Sequence, residues 1–478
     1  MLDLTIDGSW DSKLAGDKLT DQYLINTTDV DSVIIKGCIF QNAMIMISNW
    51  KEKEAGMMRI FGYKYVLFDS NRIINCYVNE GILIRNDDEN RGFANISNNR
   101  FNYVYTSSCV NAFYGKYVVK NNYFGTSRGS SINIFGHDTE IIGNVFEGSQ
   151  YSCAIDLSEG GMVDYNSRNI IISGNTSYYC YDGFVSGHGI EKVSIINNKY
   201  LGSIIRNPEA FDLYDKKGGR PKRDRYTDKI LTFSGDLNFI KIENNSFEGA
   251  FSLLFLEDEA LRKDITIEKN RIETLKTSTR SVVVFKTIDG IIIRNNVFWG
   301  AGCTPGYLKN PVFISTLPVY ESKYDVSNVL IERNKFYSDL DTCYIFAQSI
   351  YDRNYDINFL KLDNINITKN KSNVLSSLIF VNDVFSYDTQ SRIRVLKNSF
   401  NDGFIFSNTK IDTDMAENNK IENAVSKSQQ MQNFELNTVV HFDGQYYYVV
   451  SGGQATGRNF KPNKGFLKEG VVILHRQN

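Results

Sequence analysis

Residues 240–250 read IKIENNSFEGA, and near-copies recur as VSIINNKYLGS at 193–203, IIIRNNVFWGA at 291–301 and VLIERNKFYSD at 329–339. All fit one eight-residue frame: apolar, any, apolar, any, any, Asn, any, aromatic or aliphatic. Fourteen segments follow it, starting at Val33, Val66, Ala94, Tyr117, Thr139, Ile170, Val193, Ile240, Ile265, Ile291, Val329, Ile365, Ile393 and Asp414, with starts 21 to 47 residues apart. Fixed phase with variable spacing means stacked coils with loops inserted between them. The sixth place is Asn71, Asn99, Asn122, Asn144, Asn175, Asn198, Asn245, Asn270, Asn296, Asn334, Asn370, Asn398 and Asn419; only Cys38, in the first copy, departs.

Alternation in IKIENN and ITIEKN predicts half-buried strands, and windows with a helical period are scarce. The 6 prolines of the chain leave these strands unbroken. After each Asn-x-Phe corner a second apolar strand follows, as in GILIR at 81–85, INIFG at 132–136, AIDLS at 154–158, SLLFL at 252–256 and VVVFK at 282–286. A unit of two or three short strands cannot bury its own apolar face, but copies stacked at ~4.8 Å per coil share one core. The sequence therefore predicts an all-β fold: a single-stranded right-handed parallel β-helix of fourteen coils over residues 1–430. The asparagines are expected to point inward at a corner, pairing with backbone groups and with one another along the axis. Phe101, Phe124, Phe146, Phe247, Phe298, Phe336 and Phe400, two places later, are expected to form a parallel apolar stack.

Two stretches break the rhythm and are expected to protrude as loops: PEAFDLYDKKGGRPKRDRYTDK at 208–229 and WGAGCTPGYLKNPVFISTLPVYESKYD at 299–325. Past residue 430 the frame stops. Residues 431–478 then read as a separate small β module of short strands and Gly turns, suited to trimerisation or glycan binding.

The 478 residues carry 53 basic and 55 acidic side chains, a net charge of −2, so no overall field draws nucleic acid or an anionic membrane. Apolar runs are of strand length, which argues against membrane insertion. The start, MLDLTIDGSW, shows no basic region followed by an apolar stretch, so no signal peptide is expected. The 7 cysteines lack CxxC spacing, which argues for buried reduced thiols over disulfides or zinc.

The coils together with the tail, NTVVHFDGQYYYVVSGGQATG at 437–457 followed by a Pro and EGVVIL at 469–474, resemble the tailspike or capsule-depolymerase proteins of bacteriophages. The resemblance runs over roughly residues 20 to 430 as architecture shared with pectate-lyase-like proteins, and over the tail as a small module frequent in phage tail proteins. It implies a homotrimer on the virion tail that binds and cuts bacterial surface polysaccharide: capsule, exopolysaccharide or O-antigen. It also implies an N-terminal virion-attachment domain, which is not expected within this sequence, since coil-like segments begin almost at once.

Glycoside hydrolysis needs paired carboxylates, roughly 5 to 5.5 Å apart for retention or 6.5 to 9.5 Å for inversion. Within AIDLSEGG, inward Ile155 and Leu157 place Asp156 outward, with Glu159 beginning the turn; such a pair suits inversion. INIFGHD ends in His137 and Asp138, and GFVSGHG in His188, so His137, Glu159 and His188 on successive coils could transfer protons or, alternatively, ligate a metal. The catalytic set is taken as Asp156, Glu159 and His188, without metal or cofactor. Arg85 beside Asp87 and Asp88 could grip an acidic sugar, and His137, Trp50 and Trp299 are further candidates for substrate contact. Alternatives are a uronic-acid lyase, a spike that adheres without cutting, and a monomeric pectinase-like cell-surface enzyme.

Overall fold

The computed structural model describes residues 4–7, 23–45, 56–78, 80–86, 92–102, 108–157, 167–217, 227–256, 260–275, 281–300, 312–316, 326–338, 342–348, 362–373, 376–381, 393–400 and 403–407, and the short segments 420–421, 431–434, 439–442, 445–449, 453–456 and 474–476. Two compact units divide the chain, Met1–Ala250 and Phe251–Asn478.

In the first unit every coil has three faces, and each face pairs in parallel with the same face of the next coil. The framed strands form the first face, as in Tyr117↔Ala94, Thr139↔Ile170 and Val193↔Ile240. Short strands after the asparagine corner form the second, as in Phe101↔Phe124, Phe124↔Phe146 and Tyr200↔Phe247. Residues 56–61, 80–85, 108–113, 130–135, 155–156 and 185–188 lie on the third, as in Ile82↔Val110, Val110↔Ile132, Ile132↔Ile155 and Ile155↔Val185. Gly56–Asp69, Ser108–Lys120 and Ser130–Ile142 run without interruption from the third face round a corner into the first. This is a parallel β-helix, right-handed as the twist of parallel strands requires of their crossovers. Alternation fills it: Ile96, Ile141, Ile172, Ile195 and Ile242 are fully buried.

The asparagine ladder is built as the sequence predicts. Asn144 Nδ2 donates to Val119 O at 2.8 Å and to Asn175 Oδ1 at 3.0 Å, while Asn122 N and Nδ2 donate to Asn144 Oδ1 at 2.9 and 3.0 Å. The same pattern links Asn71, Asn99, Asn122, Asn144, Asn175, Asn198 and Asn245, and Cys38 N donates to Asn71 Oδ1 at 2.8 Å. Cys38 thus ends the ladder, taking a rung's amide oxygen while offering none. The residue before each rung sits in the left-handed region, Gly37, Ser70, Asn98, Asn121, Gly143, Gly174, Asn197 and Asn244 having φ between 54° and 68°. That explains the Asn-Asn doublets, because Gly and Asn tolerate this conformation. Beside the ladder Phe101, Phe124 and Phe146 stack with centroids 4.9 and 5.1 Å apart.

In the second unit residues 262–268, 288–294, 326–332, 362–368 and 393–396 form the framed face, paired in register through Ile265↔Ile291↔Val329↔Ile365↔Ile393. Its ladder runs Asn270, Asn296, Asn334, Asn370, Asn398. Asn419 and the connections between many of these strands lie outside the described residues. Beyond residue 431 the pairing turns antiparallel, 431–434 with 453–456, and 439–442 with 445–449 across Asp443-Gly444.

Both expected loops need correction. Pro208–Lys217 is an α-helix, because Asn207 Oδ1 accepts from Ala210 N at 3.1 Å as an N-cap and Pro208 suits the first helical position. Its Phe211 packs edge-on against Tyr179 at 5.4 Å. Within the second stretch Val312–Thr316 is a buried strand, in register with 283–285 and 344–348. Residues 218–226, 301–311 and 317–325 lie outside the described residues. The described cysteines Cys38, Cys76, Cys109, Cys153 and Cys180 are buried thiols; burial pushes the Cys76 thiol up to about 11 and Cys109 to about 12, leaving both inert at neutral pH. Among the described residues no helix is long and apolar enough to cross a membrane.

Replacing Asn144 by Ala strands a buried carbonyl and two donors, and should cost about 3 kcal/mol. At the preceding left-handed place Asn121→Val should cost about 1–2 kcal/mol and Asn121→Gly almost nothing. Urea unfolding followed by circular dichroism measures all three; an unchanged midpoint for Asn144→Ala would show that the rungs do not hold the coils together.

Candidate functional site

The third face of the first unit turns two columns of side chains outward. Inward Ile82, Val110, Ile132, Ile155 and Val185 are fully buried, so the next residue on each strand points away from the core. Register places Arg59, Leu83, Asn111, Asn133, Asp156, Ser186 and Thr232 in one column. Two residues further along, Phe61, Arg85, Phe113 and Phe135 form a second, of which Phe135 is buried. His188 and Ser234, two residues beyond Ser186 and Thr232, continue it on later coils.

Asp156 is half-exposed on this face with Leu157 fully buried behind it. Ser186 Oγ donates to Asp156 Oδ1 at 2.8 Å from the next coil, and Asn133 sits beside it on the preceding one. His188 is exposed, on the coil of Ser186 and two residues past it, with Nδ1 2.9 Å from Ser234 Oγ. The structure therefore brings Asp156 and His188 onto one outward face of adjacent coils. Glu159 lies outside the described residues, as does Trp50.

His137 does not join them. It is 7% exposed, pairs in register with Lys116 and Arg168, and holds Asp138 Oδ2 at 3.1 Å through Nδ1. Arg168 in turn pairs with Glu191, three residues after His188, an offset of ~10 Å along the strand. The Gly-His doublets of INIFGHD and GFVSGHG look equivalent but do not fall in phase. His137 follows its corner, whereas His188 precedes the corner residue Gly189, whose φ is 58°. His137 instead belongs to a surface ion cluster, in which Lys116 Nζ lies 3.0 Å from Asp138 Oδ2 and Asn169 Nδ2 donates to Asp138 Oδ1 at 3.0 Å.

Arg85 stands half-buried between two rings, its Cζ 5.9 Å from the Phe61 centroid and 5.7 Å from that of Tyr114. Tyr114 has φ of 55°, uncommon for a bulky side chain, and meets Phe135 edge-on at 6.0 Å. The corner between third and first faces is short in some coils, residues 114–115 and 136; residues 87–91, after Arg85, and 158–166, after Asp156, lie outside the described residues. Trp299 belongs to the second unit, where it closes the strand Val297–Trp299 instead of lying in a loop. It is 39% exposed and stacks on Tyr337 at 4.7 Å.

Asn111, Asn133, Phe113, Tyr114 and Ser186 escaped the sequence reading. Alternation in VNAFYG at 110–115 and INIFG would have turned Asn111, Phe113, Asn133 and Phe135 outward, but only the register between coils puts them beside Asp156.

No family model and no curated protein matches the chain. Solved structures similar to it include a mutant of the DFA-IIIase from Arthrobacter chlorophenolicus A6 in complex with DFA-III, at 10% identity and a TM-score of 0.27, covering 78% of this chain and 88% of that one. A double mutant of the tailspike protein of E. coli bacteriophage HK620 is another, at 8% identity and a TM-score of 0.27, covering 93% of this chain and 76% of that one. Likenesses at this level decide nothing about chemistry, and the fold stands on the strand register alone.

Hydrogen bonds from Lys116, His137 and Asn169 hold the Asp138 carboxyl down to about 2 from 3.8. A carboxyl lowered in the folded state stabilises it above the ordinary value and loses that contribution as pH falls. Between about pH 4 and pH 2, wild-type protein should therefore lose more stability than Asp138→Asn, by guanidinium unfolding at each pH. Equal losses would remove the cluster from the acid response.

Proposed function

We propose that the chain binds a bacterial surface polysaccharide along the outward columns of its third face and depolymerises it by glycosidic hydrolysis, with Asp156 and Glu159 as the carboxylates and His188 assisting. The observation that carries this reading is the half-exposed Asp156, oriented by the Ser186 hydroxyl within a polar column that runs beside an aromatic one. Sugars ask for that pairing: hydroxyls exchange hydrogen bonds with amides, carboxylates and hydroxyls, and C–H faces pack on rings. In inversion one carboxylate takes a proton from water as the oxygen attacks the anomeric carbon, while the other gives a proton to the departing glycosidic oxygen. Asp156, with Ser186 donating to Oδ1, suits the base, and Glu159 the acid. His188, reaching the same face from the next coil, suits a contact to the leaving sugar.

The same reading makes the chain a tailspike acting as a homotrimer at the virion tail, with residues 431–478 as a separate module. Its outward columns would serve equally a uronate lyase or a spike that binds without cutting, and the products separate the three. Asp156→Asn and Glu159→Gln should each slow release of new reducing ends from a susceptible capsule by about 100-fold or more, with circular dichroism unchanged. Wild-type rates in both variants would sink the assignment. Ultraviolet absorbance of an unsaturated uronate would make the enzyme a lyase, and retention of capsule without new ends would leave a binding spike.

A further inference from the structure

We infer that Arg85 is the anchor of a subsite for a carboxylate-bearing sugar, so that the polysaccharide held on the third face is an acidic one; this rests on the polysaccharide reading above. Among the described residues the guanidinium has two ring neighbours, Phe61 and Tyr114, and no carboxylate partner. Its Nε is buried without a hydrogen-bond partner. Two lysines of this unit, by contrast, have carboxylate partners, Lys116 with Asp138 at 3.0 Å and Lys36 with Asp69 at 3.3 Å. An arginine keeps its charge at any working pH, and a charge drawn partly out of water without a counter-ion is costly. Rings attract the guanidinium through its charge but accept no N–H bonds of ordinary strength, so its planar donors are left for a forked acceptor, which a carboxylate supplies.

The surroundings fit a sugar more closely than a free anion. Asn111, on the next coil, is 7% exposed; its Nδ2 donates to Glu80 Oε1 at 3.1 Å, and its Oδ1 has no partner. Asn133 Oδ1, one coil further, is likewise buried without one. Both are acceptors in want of a donor, which a hydroxyl-bearing ligand brings once these side chains turn to meet it. Arg85 and Asp156 lie three coils apart, ~14 Å along the axis, with Phe113 and Phe135 on the coils between. A chain laid along the axis with its scissile bond at Asp156 therefore reaches Arg85 with a sugar that is not being cut. Arg85 binds; it does not take part in bond cleavage.

The test uses full-length Asp156→Asn protein, which retains polymer without consuming it. Binding is measured by biolayer interferometry against a panel of acidic bacterial capsular polysaccharides, the same polymers after carbodiimide reduction of their carboxyls to alcohols, and neutral polysaccharides. At least one native acidic polymer should bind, carboxyl reduction or Arg85→Gln should each weaken it about tenfold or more, and Arg85→Lys should recover part of the loss. Binding should also fall with added salt. The inference is overturned if only neutral polymers bind, if nothing on the panel binds, if reduced polymer binds as well as native, or if Arg85→Gln lowers the melting temperature while leaving binding intact. That last result would make Arg85 a counter-ion within its own chain, with Asp87 and Asp88 close by in sequence. Wild-type cleavage of neutral polymer alone would overturn the acidic subsite but keep the depolymerase; tight binding of acidic polymer without any cleavage would do the reverse.

Discussion

The side-chain amide at the corner between the first and second faces is the constraint on which the rest depends. A chain that turns there leaves backbone groups facing the core, and an inward asparagine supplies both a donor and an acceptor for them. Its Nδ2 reaches the carbonyl of the preceding coil, as Asn144 reaches Val119, and its Oδ1 receives the neighbouring rung's N and Nδ2. Because each rung bonds the next, the ladder fixes the rise of the coil and the phase of everything attached to it. Left-handed residues before each rung, such as Asn121 and Asn197, are the local cost of that turn, met by residues that tolerate it.

Once phase is fixed, the outward positions can differ in chemistry from coil to coil. Inward positions on the third face are uniformly apolar, Ile82, Val110, Ile132, Ile155 and Val185, whereas the outward ones vary from arginine to phenylalanine to aspartate. Side chains far apart in sequence become neighbours at the rise of a single coil, and Asp156 meets Ser186 across 30 residues of chain. Variation at such positions lets one architecture carry different functions.

The framed strands, the rungs and the aromatic stack were legible because each is a local pattern repeated in phase. Val312–Thr316 and the helix at Pro208–Lys217 were not, since both lie where the frame lapses; yet Asn207-Pro208 is a cap signal visible in the sequence. The pairing of His137 with His188 failed for a different reason. Two Gly-His doublets look alike in one dimension, but the corner glycine precedes one histidine and follows the other.

By itself the sequence determined the repeat, the inward set and the corner, because hydrophobic alternation and the asparagine place depend on near neighbours in the chain. It also determined that Asp156 points outward, from the two buried residues flanking it. Which residues share a column with it only the tertiary structure decided. The ladder sets the phase across loops of unequal length, and no local pattern records how many residues each loop contributes before the next strand falls into phase. Hence Ser186, Asn133 and the arginine between two rings emerged only when the coils were stacked.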